Sequence, residues 1–116
     1  MTDLESAVIH RMLSDPECTP NRRAIDPSNP LEVEERSIGE VGVLTTFVRN
    51  EAAKLFDDDI SMRWGKVWGR LNSAVDVDFV VYVDKGYVTG VECVTFGGEP
   101  WPYLITEFTL AEITGC

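Results

Sequence analysis

Residues 77–96 read VDFVVYVDKGYVTGVECVTF, and this stretch decides the fold because two strand-forming runs flank one turn signal. Val, Tyr, Phe and Thr dominate both runs, a composition typical of β-strands. Between the runs lie Asp84, Lys85 and Gly86. Glycine adopts the positive φ that a tight hairpin loop needs. The stretch therefore predicts a β-hairpin.

Both faces of this hairpin carry large apolar side chains. In the first run, alternate residues fall on opposite faces. One face carries Val77, Phe79, Val81 and Val83, and the other carries Asp78, Val80, Tyr82 and Asp84. Strands that are apolar on both sides are typical of buried sheets. We therefore expect the hairpin to be central, with other parts of the chain packed on each side.

The whole chain, residues 1–116, predicts a single α+β domain, with an N-terminal helix packed on a mainly antiparallel sheet of five or six strands. The helix is expected within residues 1–15, because Thr2 and Glu5 have the spacing of a capping box. Residues 16–30 contain four prolines and predict a loop, with at most one helical turn near residues 21–25. The sheet is expected within residues 31–113.

Within the sheet region, glycines and turn formers mark the expected breaks. Gly39 and Gly42 suggest a bulge or bend in one long strand. Residues 60–71 predict one strand, and Asn72-Ser73 predicts a turn into the central hairpin. Residues 106–113 predict the last strand.

The chain is acidic, with a net charge of −10 from 20 acidic and 10 basic residues. This balance disfavours nucleic-acid binding, since phosphate contacts need clustered Lys and Arg. An acidic surface serves either solubility or the attraction of a basic partner. No apolar run is long enough for a membrane span, and no signal peptide is visible, so we expect a cytoplasmic protein without membrane partners.

The sequence offers no recognisable catalytic set. His10 is the single histidine, no nucleophile elbow, P-loop or dinucleotide fingerprint is present, and we expect neither an enzyme nor a cofactor. The three cysteines, Cys18, Cys93 and Cys116, form no Cys-x-x-Cys pair, which disfavours a disulfide framework and a zinc site. Cys93 is expected to be a small core residue.

Two segments stand out as candidate contact sites with a protein partner. The run Asp57-Asp58-Asp59 lacks the glycine and later glutamate of a calcium loop, so it is either a solvated flank or a charged contact surface. In the second segment, prolines on both sides of Trp101 stiffen the loop that follows Glu99. Trp101 is then either an interface anchor or a cap over the sheet edge. The predicted contact residues for this partner are Asp57, Asp58, Asp59, Glu99 and Trp101.

Other polar residues have a simpler interpretation. Trp64 and Trp68 alternate with basic residues, as on a single-stranded nucleic-acid platform, but packing on the sheet is favoured for so acidic a chain. Asp76 and Asp78 share a strand face, where they either hold a cation weakly or keep the strand end soluble. Glu92, if buried, needs a partner, which Arg63 or Arg70 can provide.

Part of the chain resembles a set of small bacterial proteins. The runs that carry the resemblance are GEVGVLTTF, DFVVYVDKGYVTGVECVTFGGEPWP and ITEFTL, and they lie within residues 36–110. The pattern includes a Gly-x-Gly strand. The chain departs from it at Gly39 and Gly42, which are separated by two residues instead of one. Some proteins of this kind resemble immunity proteins of contact-dependent growth inhibition and other polymorphic toxin systems. The resemblance implies a cytoplasmic protein that blocks the C-terminal domain of a cognate toxin, often a nuclease, by direct binding.

A second hypothesis belongs to another class. It is a small-molecule-binding or enzymatic domain with a pocket between helix and sheet. Glu92, with Tyr82 or Tyr87, would supply the polar groups of that pocket.

Overall fold

One α-helix lies on one antiparallel sheet in the computed structural model, which describes residues 1–15 and 22–112. Helix α1 spans Asp3–Leu13. The strands are β1 (Val33–Ile38), β2 (Gly42–Phe47), β3 (Met62–Trp64), β4 (Val67–Leu71), β5 (Val75–Asp84), β6 (Tyr87–Thr95) and β7 (Phe108–Glu112). Their order in the sheet is β1-β2-β6-β5-β4-β7, and β3 pairs with β5. The predicted α+β architecture is confirmed, with seven strands instead of five or six.

Helix α1 begins with the predicted capping box. Thr2 Oγ1 accepts a hydrogen bond from the Glu5 amide (3.2 Å), and Glu5 Oε1 accepts one from the Thr2 amide (2.8 Å). These bonds satisfy two of the amides that a helix start leaves without partners. The helix then buries Leu4, Val8, Ile9 and Met12 against the sheet. The helix prediction is therefore confirmed.

The central hairpin forms as the sequence predicts. Asp84 pairs with Tyr87, which leaves Lys85 and Gly86 as a two-residue loop. Both loop residues have positive φ, 51° and 87°, as in the type I′ turns that match the twist of a hairpin. Gly86 is also enclosed, because a Cβ there would lie 2.6 Å from the carbonyl oxygen of Phe56. Strands β5 and β6 lie at the middle of the sheet.

Only one face of this hairpin is covered, which corrects the expectation of packing on both sides. Val77, Phe79, Val81 and Val83 lie in the core together with α1. The loop residues that complete the core, among them Ile25, Leu31, Leu55 and Phe56, belong to the same buried cluster. On the opposite face, Leu44 and Val94 are 37% and 39% exposed. The apolar residues of that face therefore meet solvent.

The strand region differs from the prediction in three places. Residues 39–41 form the turn between β1 and β2, closed by a hydrogen bond from the Gly39 amide to the Gly42 carbonyl (2.8 Å), so no long bent strand exists. The irregularity lies instead in β1, between Val33 and Glu35. Residues 60–71 form two strands, β3 and β4. The register gains one residue between Trp64↔Val81 and Trp68↔Asp78, and this places the two tryptophans on opposite faces.

Residues 22–30 contain no helical turn, which agrees with the predicted loop of at most one helical turn near residues 21–25, of which residue 21 lies outside the described residues. Arg22 instead bridges to Phe56, and the Arg23 amide donates to the Leu55 carbonyl (2.7 Å). Backbone pairing with residues 55–56 replaces the helical hydrogen bonds. The predictions for residues 16–21, for Cys18, for Cys116 and for the end of the last strand at Ile113 also concern residues outside the described ranges.

The loop between β6 and β7 closes one end of the core. The Trp101 amide donates to the Glu40 carbonyl (2.7 Å) in the β1–β2 turn. Further along, Asn72 holds the loop: its Nδ2 donates to the Leu104 carbonyl (2.7 Å), and its Oδ1 accepts from the Thr106 amide (2.7 Å). Asn72 and Ser73 have positive φ, which confirms the predicted turn. The loop thus crosses from the β1–β2 turn to the β4–β5 turn.

Candidate functional site

The acidic run at residues 57–59 lies beside the central hairpin loop. The Arg23 guanidinium forms an ion pair with the Asp57 carboxylate and lies 3.6 Å from that of Glu51. The carbonyl oxygen of Asp58 would lie 2.7 Å from a Cβ on Gly86. Asp59 is exposed. The segment therefore encloses the hairpin loop, and Asp57 already has a cationic partner within the chain.

Glu99 and Trp101 lie in the loop that closes the core. The Glu99 side chain is exposed, and its carbonyl accepts a hydrogen bond from Thr95 Oγ1. Trp101 is half-buried and packs against the core cluster. This is the position expected of a residue that caps the end of the sheet.

These two groups do not form one site. Asp58 lies beside Gly86, next to the first residue of β6, whereas Glu99 follows the last residue of β6. Strand β6 has nine residues. At the rise of an extended strand, its two ends are roughly 25–30 Å apart. The predicted site residues thus lie at opposite ends of the sheet.

The structure brings a different set of residues together on the sheet face that points away from α1. We call this surface the open face, and it carries Leu44, Trp68, Asp78, Val80, Tyr82, Glu92 and Val94. Directly paired residues on neighbouring strands project from the same side of a sheet. The cross-strand rows are Trp68–Asp78–Val94 and Val80–Glu92–Leu44. Each of the two carboxylates therefore lies between two large apolar side chains.

Asp78 is the less satisfied of these two carboxylates. Its side chain makes no hydrogen bond or ion pair with any residue in the described ranges 1–15 and 22–112. Partial burial between Trp68 and Val94 raises the pKa of Asp78 above its ordinary value, because burial penalises the charged form. A cation bound next to Asp78 would therefore stabilise its charged form.

Glu92 lies diagonally across from Asp78, since it is two residues before Val94, the direct partner of Asp78. Diagonal neighbours in an antiparallel pair are about 7–8 Å apart. Tyr82 Oη donates a hydrogen bond to Glu92 Oε1 (3.0 Å). Neither of the predicted partners, Arg63 and Arg70, pairs with Glu92, so that expectation is wrong.

Those two arginines are engaged elsewhere on the open face. Arg70 Nε donates to Asp76 Oδ1 (2.8 Å), and the pair is largely solvent-exposed. The Arg63 guanidinium lies over the Tyr82 ring, 5.5 Å from its centroid. Asp76 is thus neutralised by Arg70, while Asp78 and Glu92 are not neutralised by an ion pair within the described part of the chain.

A shallow groove of about 320 Å³ adjoins Glu92 on the open face. It is lined by Leu44, Thr46, Tyr82, Thr89 and Gly90. Gly90 lies between Tyr82 and Thr46 in the cross-strand row and contributes no side chain to it. The groove has room for one apolar side chain of a partner.

This geometry does not place the polar groups of the second hypothesis between helix and sheet. Tyr82 and Glu92 project from the open face, away from α1. Tyr87 lies at the hairpin end, where the Arg49 guanidinium and the Lys54 ammonium stand 4.7 and 4.9 Å from its ring centroid. The space between helix and sheet is occupied by the hydrophobic core, to which Val8, Ile9 and Phe79 belong.

Within the described residues, Cys93 is a free cysteine, and it is buried. Burial, together with the charges of Glu5 and Glu92, raises the pKa of the Cys93 thiol to about 12, so this buried thiol is protonated at neutral pH. Within residues 1–15 and 22–112, no group of three or more His, Cys, Asp and Glu side chains can hold a metal ion. No helix in those ranges is long and apolar enough to cross a membrane.

The two tryptophans do not form the stacking platform that the sequence allowed. Trp64 is buried in the core, where its Nε1 donates to Asp15 Oδ2 (2.7 Å). Trp68 lies on the open face beside Asp78. A base stack needs aromatic rings on one surface, so this arrangement favours the packing interpretation.

Sequence reasoning missed Asp78, Leu44 and Val94 as members of a surface. Their signal was present in the alternation of the central hairpin, whose second face is both apolar and acidic. We expected that face to be covered, because apolar groups on both sides of a strand are typical of a buried sheet.

Comparison with known protein families, characterised proteins and solved structures finds no match to this chain.

Proposed function

We propose that this chain is an immunity protein that neutralises a toxin domain by direct contact in the cytoplasm, and that it acts by binding and not by catalysis. One observation carries the proposal: a net charge of −10 accompanies an open sheet face on which exposed or partly exposed apolar residues flank two carboxylates. An apolar surface with a polar component is typical of protein interfaces. Residues 36–110 resemble a set of small bacterial proteins, some of which look like immunity proteins, and this resemblance supplies the class of partner.

The charge favours a basic partner. Nuclease toxins bind phosphate groups and therefore present clustered Lys and Arg, which an acidic inhibitor can cover. Opposite charges also accelerate association, and salt weakens that effect because the Debye length is about 8 Å at 0.15 M ionic strength. We therefore expect the association rate constant to fall as salt rises.

The test begins with capture of a partner. The tagged protein, expressed at its natural level in its own host, is purified at low salt, and any basic polypeptide held in a fixed ratio is identified. That polypeptide is then expressed in cells with and without this chain. The proposal expects growth arrest without the chain and recovery with it.

Two results would contradict the proposal. The chain elutes alone at every salt concentration and no toxin domain is encoded beside it, or the captured polypeptide arrests growth equally in both strains. An association rate constant that does not change between low and high salt would remove the electrostatic part of the argument.

A further inference from the structure

We propose that Asp78 and Glu92 form a receptor for an arginine side chain of the partner, and that the groove over Gly90 takes an apolar side chain next to it. This inference rests on the proposed function for the identity of the partner. It replaces the sequence-predicted contacts at residues 57–59, 99 and 101 with a single contiguous surface.

The first argument is the unsatisfied charge of Asp78. The side chain is half-buried between Trp68 and Val94, and no described residue donates a hydrogen bond to it. A carboxylate in apolar surroundings is stabilised strongly by a guanidinium, because desolvation strengthens a charge-assisted hydrogen bond. Binding of a guanidinium would therefore give Asp78 the hydrogen-bond donor that it lacks in the free protein.

The second argument is the spacing of the two carboxylates. Asp78 and Glu92 are diagonal neighbours on β5 and β6, about 7–8 Å apart. A guanidinium has five N–H donors in a planar fork, so one group can donate to both carboxylates. Trp68, beside Asp78, offers an aromatic surface on which a guanidinium can stack. An ammonium is a compact charge without the planar fork, and it lies over aromatic rings less often than a guanidinium does, which favours arginine over lysine.

The third argument is the groove. Gly90 is two residues from Glu92 along β6, which corresponds to about 7 Å in an extended strand. In an extended peptide, side chains two residues apart project from the same side with the same spacing. A partner segment with an apolar residue followed two positions later by arginine therefore matches the groove and the two carboxylates.

The charges of the open face argue against a second copy of this chain as the occupant. Face-to-face packing of two copies would bring Asp78 and Glu92 of each close to the same groups of the other, between molecules that each carry a net charge of −10. Like charges in an interface disfavour association. The two arginines of this face already have contacts within their own chain, because Arg63 lies over the Tyr82 ring and Arg70 is paired with Asp76.

The probe for the test is the capped tripeptide acetyl-Leu-Ala-Arg-amide, with acetyl-Leu-Ala-citrulline-amide as the matched uncharged control. Each is titrated into the isotopically labelled full chain, and amide chemical shifts are followed. We expect shift changes at Leu44, Trp68, Asp78, Glu92 and Gly90, and an affinity for the citrulline peptide that is at least about fivefold weaker. Asp78→Asn should weaken binding of the arginine peptide by a similar factor, and Asp57→Asn should not.

Folding and oligomeric state are checked on the same samples. Asp78→Asn removes a charge without breaking a contact, so this variant should unfold at or above the wild-type temperature. Glu92→Gln keeps an acceptor for Tyr82 Oη, so this variant should still fold. The proposal is overturned if the arginine and citrulline peptides bind equally, if the shifts map to residues 57–59, or if the open-face signals depend on the concentration of the protein alone. The last result would assign the face to a second copy.

The peptide result and the capture result are independent. A toxin captured by a protein that ignores the arginine peptide would leave the proposed function standing and remove this surface. If the open face binds the arginine peptide but the chain protects no cell, the surface stands and the proposed function is removed.

Discussion

Arg36 Nη2 donates a hydrogen bond to Oε1 of the buried Glu5 carboxylate (2.8 Å), and this ion pair joins the edge strand β1 to helix α1. The other carboxylate oxygen accepts a hydrogen bond from Thr45 Oγ1. Burial acts to raise the pKa of Glu5, but the bonds from Thr45, Thr2 and Arg36 and the charge of Arg36 outweigh it and hold the pKa below the ordinary value.

Replacement of Arg36 by Met should therefore destabilise the fold. The change leaves a buried carboxylate without its cation, and because the Arg36 side chain is 34% exposed we expect a cost of about 1–3 kcal/mol, below that of a fully buried pair. The matched control is Arg70→Met, whose exposed pair with Asp76 should contribute about 1 kcal/mol or less. Urea unfolding of both variants gives the comparison, and equal losses would show that the Glu5 pair is not special.

The same pair predicts a pH dependence. A carboxyl group whose pKa is lower in the folded state stabilises that state above its unfolded pKa, near 4.5, and this contribution is lost as pH falls through the folded value. In Glu5→Gln the corresponding part of the acid-induced loss should be absent. Identical slopes of stability against pH below 4.5 in the two proteins would contradict the assignment.

Gly86 and Gly97 separate two costs of adding a methyl group. Both have positive φ, 87° and 63°, but a Cβ on Gly86 would lie 2.6 Å from the Phe56 carbonyl oxygen, whereas Gly97 has nothing within 4 Å. We expect Gly97→Ala to cost about 1 kcal/mol from backbone strain alone and Gly86→Ala to cost about 3 kcal/mol or more from strain and overlap. Thermal unfolding measures both costs. Equal costs would mean that the carbonyl oxygens of Phe56 and Asp58 do not enclose Gly86.

Trp101 and Tyr103 provide a matched pair of aromatic residues in the loop that closes the core. Trp101 is half-buried against the core, while the Tyr103 side chain is fully exposed. We expect Trp101→Ala to lower the free energy of unfolding by about 2–3 kcal/mol and Tyr103→Ala to change it by about 0.5 kcal/mol or less. If Trp101→Ala has wild-type stability, Trp101 does not cap the sheet, and the alternative interpretation as an interface anchor is favoured.

The sequence predicted those elements whose signals are local. The capping box of Thr2 and Glu5 and the Lys85-Gly86 loop depend on neighbouring residues, and both form as predicted. Long-range relations were missed. Nothing local to Glu5 shows that Arg36, 31 residues away, will reach it, and one extra residue between β3 and β4 moved Trp68 to the face opposite Trp64.

The open face differs from the contact residues that the sequence predicted, and the reason is related. The densest charge run, residues 57–59, was prominent in the sequence, yet it encloses the hairpin loop, and Arg23 pairs with Asp57. Asp78 carries no local signal, since its character comes from Trp68 and Val94 on neighbouring strands. Such a surface exists only after the strands are in register.

Asp78→Asn should stabilise the free protein at neutral pH. Partial burial raises the pKa of Asp78 in the folded state, so the ionised group opposes folding above that pKa, and its removal relieves the cost. The gain in melting temperature should shrink as pH falls through the folded pKa, because Asp78 then becomes protonated and neutral. A variant less stable than wild type at pH 7 would indicate that Asp78 has a partner.

The affinity of the captured toxin domain for two variants of this chain tests the central claim most directly. Asp78→Asn alters the open face, and the triple variant Asp57→Asn, Asp58→Asn, Asp59→Asn alters the acidic run while removing more charge. We predict that the dissociation constant, corrected for the folded fraction, rises about tenfold or more for Asp78→Asn and less than about threefold for the triple variant. A large loss in the triple variant with an unchanged constant for Asp78→Asn would contradict the account.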